Sequence, residues 1–441
     1  MATTQAPAST SIDVIDELRT WLEENWDPDL TVGTWWERLG LSGWAAPGLP
    51  EHAFGRGLSR GDVVRVMQEI TGFGALGPPA GLGVLLAAPT IATHGTQKQI
   101  DRHVRDAVTG QKAWCQLFSE PGAGSDLAGL TTRAVDDGDE FVVNGQKVWT
   151  SGGHNADLGM LLARTNPNVP KHQGITWFAI DMHQPGIDVR PLREMTGRAM
   201  FTEVFMTEAR VGRDAVIGDV NGGWAVANTT LMFERAGLGA GGGGAGGGAT
   251  PGTVVGHLDK RAGDFVGGRG QRGSAEGALA AAMTGGTRLL TALAKGNGAN
   301  TDPTVRQDLA RLYTLGELGR ISNLRVKSER AAGRDIPGMA NISKLAMSDV
   351  MRLTRDLGLR IVGPFGMLHA YDASGRDALN AITGKPELGA LTESSLFAQA
   401  PSIYGGTDQI QKNIIGERVL GLPKEPNNDK TMPFAELPKN G

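Results

Sequence analysis

The sequence predicts an α+β fold of several domains: a helical N-terminal part, a β-rich middle and a helical C-terminal part. Three observations carry this. The apolar residues follow a helical period up to about residue 110, short β-rich runs from 113 to about 219, and a helical period again after Asn221-Gly-Gly-Trp224. Strands and helices do not alternate as βαβ units, which argues against a doubly wound parallel sheet. A chain of 441 residues is too long for one compact core and holds two or three domains of ordinary size.

The expected divisions are 1–112, 113–220 and 221–426, with a tail at 427–441. In the first, Val14, Ile15, Leu18 and Leu22 share one helix face, and Val63, Val66, Met67 and Ile70 share another. In the second, Glu140 to Val143, Lys147 to Thr150, Leu158 to Arg164, Ile175 to Met182 and Thr202 to Thr207 read as strands. Asn144-Gly145 between the first two is a two-residue hairpin signal. In the third, Asp302-Pro303 reads as a cap followed by Pro at the first helical position, with Val305, Leu309 and Leu312 buried behind it. Ile342, Leu345, Leu353 and Leu357 make a further face.

Residues 237–248 contain nine glycines in twelve, and the excess continues to about Gly277. Each Gly costs a helix interior about 1 kcal/mol, so nine would cost on the order of 9 kcal/mol. A helix should therefore stop soon after Glu234, and 237–277 should be a flexible excursion. No strand leads into the run and no G-x-x-x-x-G-K-[ST] is present, which disfavours a phosphate loop.

A net charge of -4 with both signs spread along the chain offers neither a basic stripe for nucleic acid nor a polybasic membrane patch. No apolar run is long enough to span a bilayer. Cys115, the one cysteine, cannot form an internal disulfide and reads as a small buried thiol beside Trp114 and Leu117. Met1 to Thr10 have no basic residue and no apolar core, so they read as a floppy start rather than a signal peptide. The expectation is a cytoplasmic enzyme without a metal.

Three blocks carry the chemistry. The first is Cys115-Gln-Leu-Phe-Ser-Glu-Pro-Gly-Ala-Gly-Ser-Asp-Leu-Ala-Gly129, dense in small, cap-forming and fixed-φ residues. The second is Lys147-Val-Trp-Thr-Ser-Gly-Gly153, and the third is Ile403-Tyr-Gly-Gly-Thr-Asp-Gln-Ile-Gln411. Read alone, Pro121 to Asp126 is a capped tight turn and Trp149 an ordinary core aromatic. Taken together, the blocks resemble the signatures of the acyl-CoA dehydrogenase family, over about Ser11 to Pro426. That resemblance implies an N-terminal helical domain, a middle β-barrel and a C-terminal four-helix bundle, from which the Gly-rich segment 237–277 departs as an insertion.

The same resemblance implies FAD, since the reaction needs a hydride acceptor that amino acids do not supply. It places Phe118 and Ser119 beside the flavin ring, Ser125 facing both flavin and acyl-CoA, Trp149 against the ring face, and Ser151 near its N5. Thr407 and Gln409 match residues that bind the FAD phosphates or adenosine, often across a subunit boundary. Gly405 to Thr407 also look like a helix start, a natural anion site. Gly363 and Gly366 resemble a further turn near the adenosine diphosphate, although Arg360 and Pro364 depart from that pattern. The family's R-x-x-F-G motif is not recognisable between 278 and 306.

Position 405, where the family usually carries its catalytic Glu, is Gly. Some members place the base on the first bundle helix before an Arg, and Leu231-Met-Phe-Glu-Arg235 matches that pattern. Glu234 becomes the expected base and Arg235 a substrate contact, with Asp408 as a fallback acid or cap. A carboxylate next to Met232 and Phe233, closed in by substrate, should have its pKa raised towards working pH.

The implied reaction is oxidation of an acyl-CoA to trans-2-enoyl-CoA, with electrons leaving to an electron-transfer flavoprotein and the chain in a dimer or tetramer. Two alternatives stay open. One is a non-catalytic or half-site subunit of a heteromeric enzyme; the other is an acyl-CoA oxidase or flavin monooxygenase on the same fold. A base on the first bundle helix leaves room opposite it, which favours branched or bulky acyl groups.

Overall fold

The structure, a computed structural model, describes residues 13–239, 248–267, 275–385, 387–426 and 429–438. The side chains of 235–239, 275–285, 330 and 331 lie outside that description, as do residues 1–12 with the expectation for the N-terminus.

The N-terminal helices are α1 (Val14–Asn25), α2 (Val32–Leu41), α3 (Arg60–Phe73), α4 (Ala88–His94), α5 (Gln97–Gln99) and α6 (Arg105–Val108). Asp13, Thr31 and Ser59 cap the first three by accepting from the N–H of Ile15, Thr34 and Asp62. Ile15, Leu18 and Leu22 are buried as their period requires, as are Val66 and Ile70 on α3. Trp35, Trp36 and Trp44 fill the core between them.

The middle part is one eight-stranded mixed sheet: β1 (Trp114–Leu117), β2 (Arg133–Asp137), β3 (Glu140–Ser151), β4 (Leu158–Arg164), β5 (Ile175–Asp181), β6 (Ile187–Leu192), β7 (Phe201–Gly212) and β8 (Val216–Ile217). The order is β6-β7-β3-β2-β4-β5-β8, and β1 pairs in parallel with β4. Cys115, Leu117, Phe141, Val143, Leu161, Phe178, Val204 and Val216 meet in one core, which the sheet wraps.

The Asn144-Gly145 hairpin is overturned. Those residues lie inside β3, which runs unbroken along β7, and the turn of the β2–β3 hairpin is Gly138-Asp139. Asn144 instead marks a bulge: Thr207 and Glu208 of β7 stand opposite it, and Asn144 Oδ1 accepts from the Glu208 N–H at 3.0 Å. Gly145 is there for space, because a Cβ would come within 2.3 Å of Thr132 Oγ1.

The C-terminal part holds α7 (Gly223–Gly239), α8 (Ala275–Gly296), α9 (Pro303–Ala331), α10 (Met339–Val362), α11 (Ala373–Thr383), α12 (Leu388–Phe397) and α13 (Asp408–Ile414). Helices α8, α9, α10 and α12 pack as the four-helix bundle around Leu290, Val305, Leu312, Leu357, Ile361 and Leu391. The Asp302 carboxylate caps α9 by accepting from the Thr304 N–H at 2.7 Å. Ile342, expected on a buried face, is 49% exposed. Helix α7 buries Val226 and Ala227 against the N-terminal core, touches β5, and also contacts α10 of the bundle.

Helix α7 is described as far as Gly239, and 240–247 and 268–274 lie outside the described residues. The expected flexible excursion is corrected for 248–267, which lies as a strap along the N-terminal domain. Val32 and Gly33 donate backbone N–H bonds to Lys260 and Leu258 carbonyls at 2.8 Å, while Ala262 and Gly263 donate to Leu30 and Pro28 at 2.8 and 2.9 Å. Gly252 donates to the Gly110 carbonyl, and a Cβ there would meet that of Ala113 at 2.6 Å. Thr253 bonds the buried Asp157 carboxylate. Backbone pairing offsets the entropy that a Gly-rich segment loses, and composition alone does not report it.

Candidate active site

The first block enters the site along β1 and leaves it in a tight turn. Glu120 and Ala123 exchange backbone bonds of 3.0 Å, and a short 3-10 turn follows at Leu127–Gly129. Phe118 turns its ring into the core at 4% exposure, so only its backbone is left to face outward. Ser119 is half-buried and Ser125 exposed.

The second block lies directly against the first. The Val148 N–H donates to the Ser119 carbonyl at 2.9 Å. Lys147 Nζ donates to the Phe118 carbonyl at 3.0 Å and to Glu120 Oε1 at 2.8 Å, with the Lys147 side chain fully buried. Burial alone would raise the Glu120 carboxyl, but the Lys147 ammonium and the donors on Thr131 and Thr132 outweigh it and hold it at about 2. The two blocks are thus bolted together by an ion pair whose acidic member sequence reasoning left without a role.

Trp149 breaks two local rules at once. Its φ of 61° is left-handed, which is unfavourable for a bulky residue, and its indole is 58% exposed with an edge-on contact to Phe201 at 5.7 Å between centroids. An ordinary core aromatic would do neither. Ser151, two residues on, is also exposed. A flat apolar face beside serine hydroxyls suits a planar heteroaromatic ring with polar atoms along one side.

Glu234 sits on α7, half-buried, and Gln116 Nε2 of β1 donates to its Oε2 at 3.2 Å. The carboxylate therefore lies against the strand that leads into the first block. Gln116 is partly exposed within an otherwise buried strand, and the sequence carries no local signal for its bond to α7. The Arg235 side chain lies outside the described residues. On α7, Thr229 and Thr230 bond His94 and Thr90 of α4 at 2.8 and 3.1 Å, fixing the helix to the N-terminal domain.

The third block stands on the bundle. Thr407 caps α13 by accepting from the Ile410 N–H at 3.1 Å, and Gln409 is exposed. Asp408 does not cap. Its carboxylate takes bonds from Ser348 Oγ at 2.8 Å and from Lys344 and Arg352 at 3.2 Å, all on α10. Burial would raise this carboxyl, but those three donors bring it below the ordinary range. Gly405 and Gly406 adopt φ of 62° and 82°, and their carbonyls accept from Gln411 Nε2. Gly363 closes α10 at φ 60°, exposed, with Gly366 in the 3-10 turn after it. Arg360 is occupied by Asp308 of α9 at 2.7 Å. Blocks one and two and Glu234 are brought together, whereas the bonds that position Thr407 and Asp408 run within the bundle. Cys115 is buried and its thiol pushed up to about 12, an inert group.

Comparison with known proteins gives the family. The acyl-CoA dehydrogenase N-terminal, middle and C-terminal domain families match residues 10–111, 115–209 and 269–420. The acyl-CoA dehydrogenase IpdE1 of Mycobacterium tuberculosis is 33% identical over 391 residues, covering 89% of this chain and 88% of that protein. The chain belongs to the acyl-CoA dehydrogenase family. It is an oxidoreductase of the three-domain acyl-CoA dehydrogenase fold. FadE34 of the same organism is 35% identical over 383 residues, which cover 86% of this chain and 44% of FadE34. The solved Tcur3481-Tcur3483 steroid ACAD superposes with a TM-score of 0.66 at 26% identity, covering 94% of this chain and 97% of that one. Among the described residues no helix is long and apolar enough to cross a membrane, and no cluster of His, Cys, Asp and Glu could hold a metal.

Proposed function

We propose that this protein is an FAD-dependent dehydrogenase that introduces an α,β double bond into an acyl-CoA, with Glu234 as the base. The observation that carries the reading is the Gln116 to Glu234 bond of 3.2 Å, which sets a carboxylate beside the strand feeding Phe118, Ser119 and Ser125. With FAD bound, the ring would lie on Trp149, with Ser119, Ser125 and Ser151 along its edge. FAD supplies the hydride acceptor for Cβ of the thioester. Glu234 takes the proton from Cα, and the Gln116 amide steers its carboxylate. Arg235 would contact substrate, and Thr407, Gln409, Gly363 and Gly366 would hold the diphosphate and adenosine of an FAD, in this subunit or a neighbour.

We infer a bulky, ring-bearing or branched acyl group, supported by the similarity to the steroid ACAD and by a base on α7 rather than at 405. Electrons would pass to an electron-transfer flavoprotein. Oligomer formation is supported by α9, where Tyr313, Leu318, Ile321 and Leu324 are 61%, 55%, 53% and 53% exposed, an apolar face that a second chain would cover. The buried free thiol suits a cytoplasmic location.

The test is the flavin absorbance of the purified protein, followed anaerobically as linear, branched and ring-bearing acyl-CoAs are added. Wild type is expected to bleach, and Glu234→Gln to bind flavin and bleach roughly 10²- to 10⁴-fold more slowly. A colourless protein, or a flavin indifferent to every thioester, would overturn the reading. The departure at Gly405 would then favour a half-site subunit, and native mass with its partner would identify it.

A further inference from the structure

The described end of the chain, 429–438, does not stay on the bundle. It crosses to the loop between β4 and β5, where the Phe434 and Ala435 N–H groups donate to the Val169 and Pro167 carbonyls at 2.9 Å. Two buried cations lie between this tail and the first block. Arg164, 4% exposed, stacks its guanidinium 3.6 Å from the centroid of the Phe434 ring. It donates to the carbonyls of Ala128 at 2.6 Å, Leu130 at 3.2 Å and Lys171 at 2.7 Å. Lys171 donates to both oxygens of Asp126 at 2.9 Å and to the Asp429 carboxylate.

The same β4–β5 loop grips the start of α7. Thr165 Oγ1 donates to Asn221 Oδ1 at 2.7 Å, and the His172 ring meets Trp224 edge-on at 4.9 Å. Tail, first block and the helix of Glu234 therefore converge on one loop. Lys171 has a side chain only 7% exposed, so its charge depends on its carboxylate partners more than a surface lysine's would. Arg164 satisfies its donors on carbonyls and its face on an aromatic ring.

We propose that residues 429–438 form a clamp that positions Ser125 and Asp126 for the dehydrogenation, with Asp429 and Phe434 as positioning residues acting through Lys171 and Arg164. This rests on the reading that Ser125 faces flavin and acyl-CoA. Losing either tail residue loosens residues 122–130 while leaving the bundle in place, so the orientation of the reacting groups suffers.

The test uses the full chain with Asp429→Asn, Asp429→Glu and Phe434→Ala. Amide exchange is read over 122–130 and over the bundle, and kcat and KM are measured on the acyl-CoA that bleaches wild type best. Asp429→Asn and Phe434→Ala are expected to speed exchange at 122–130 selectively. They should also lower kcat/KM about tenfold to a hundredfold, with most of the loss recovered in Asp429→Glu. Unchanged exchange at 122–130 in both variants, or exchange raised uniformly over the chain, would overturn the clamp. If wild type bleaches with no thioester, the functional reading fails, and the exchange measurement still decides the clamp.

Discussion

Single residues set the surroundings of each candidate carboxylate. Gly405 has no side chain, and Asp408 is committed to Lys344, Ser348 and Arg352, while Glu234 has an amide partner on the strand that opens the site. The Leu231 to Arg235 pattern pointed to Glu234, but its partner Gln116 was not legible, because a bond spanning 118 residues depends on how α7 crosses β1. His103 shows a different residue effect. It is buried edge-on to Trp114, and burial, with Arg102 nearby, pushes it down to about 4 from 6.5. A His with a lowered folded pKa contributes stability that is full above pH 6.5 and is lost as pH falls towards 4, on the order of 3 kcal/mol in all. The thermal midpoint should therefore fall between pH 7 and 4, and His103→Gln should flatten that part of the curve. An identical slope in both proteins would show that His103 does not drive it.

At the scale of elements, the Glu120–Lys147 pair is what joins β1 and its turn to β3. Both side chains are nearly inaccessible, so removing one partner leaves the other charge without compensation. Lys147→Met should lower stability by roughly 3–5 kcal/mol and weaken flavin retention. Chemical denaturation followed alongside flavin absorbance checks this, and a variant as stable as wild type would show that the pair is dispensable. Glu120 has a lowered pKa, so the pair's contribution is present above pH 4.5 and disappears as pH drops towards 2. Elements with a strong period were readable: Leu158–Arg164 is a strand with the expected bounds, and α9 begins at Pro303. The Asn144-Gly145 signal misled because its chemistry fits a bulge as well as a turn, and pairing with β7 chose the bulge.

On the scale of the whole molecule, two return segments tie the domains together: the strap 248–267 to the N-terminal helices, and the tail 429–438 to the β sheet. Gly252→Val probes the strap, since the new side chain would collide with Ala113 and Asp157. It should cost about 1–3 kcal/mol and make 248–267 the first site of limited proteolysis. Unaltered cleavage and melting would show that the strap is not anchored there. The sequence by itself determined the helical, β and helical order, the Asp302 cap and the three blocks, because each follows from short-range period, turn chemistry or motif. Only the tertiary structure decided the strap, the tail and the contacts of Gln116, Lys147 and Lys171. Those depend on sheet register and on where a returning chain finds backbone partners, and neither is written in local composition.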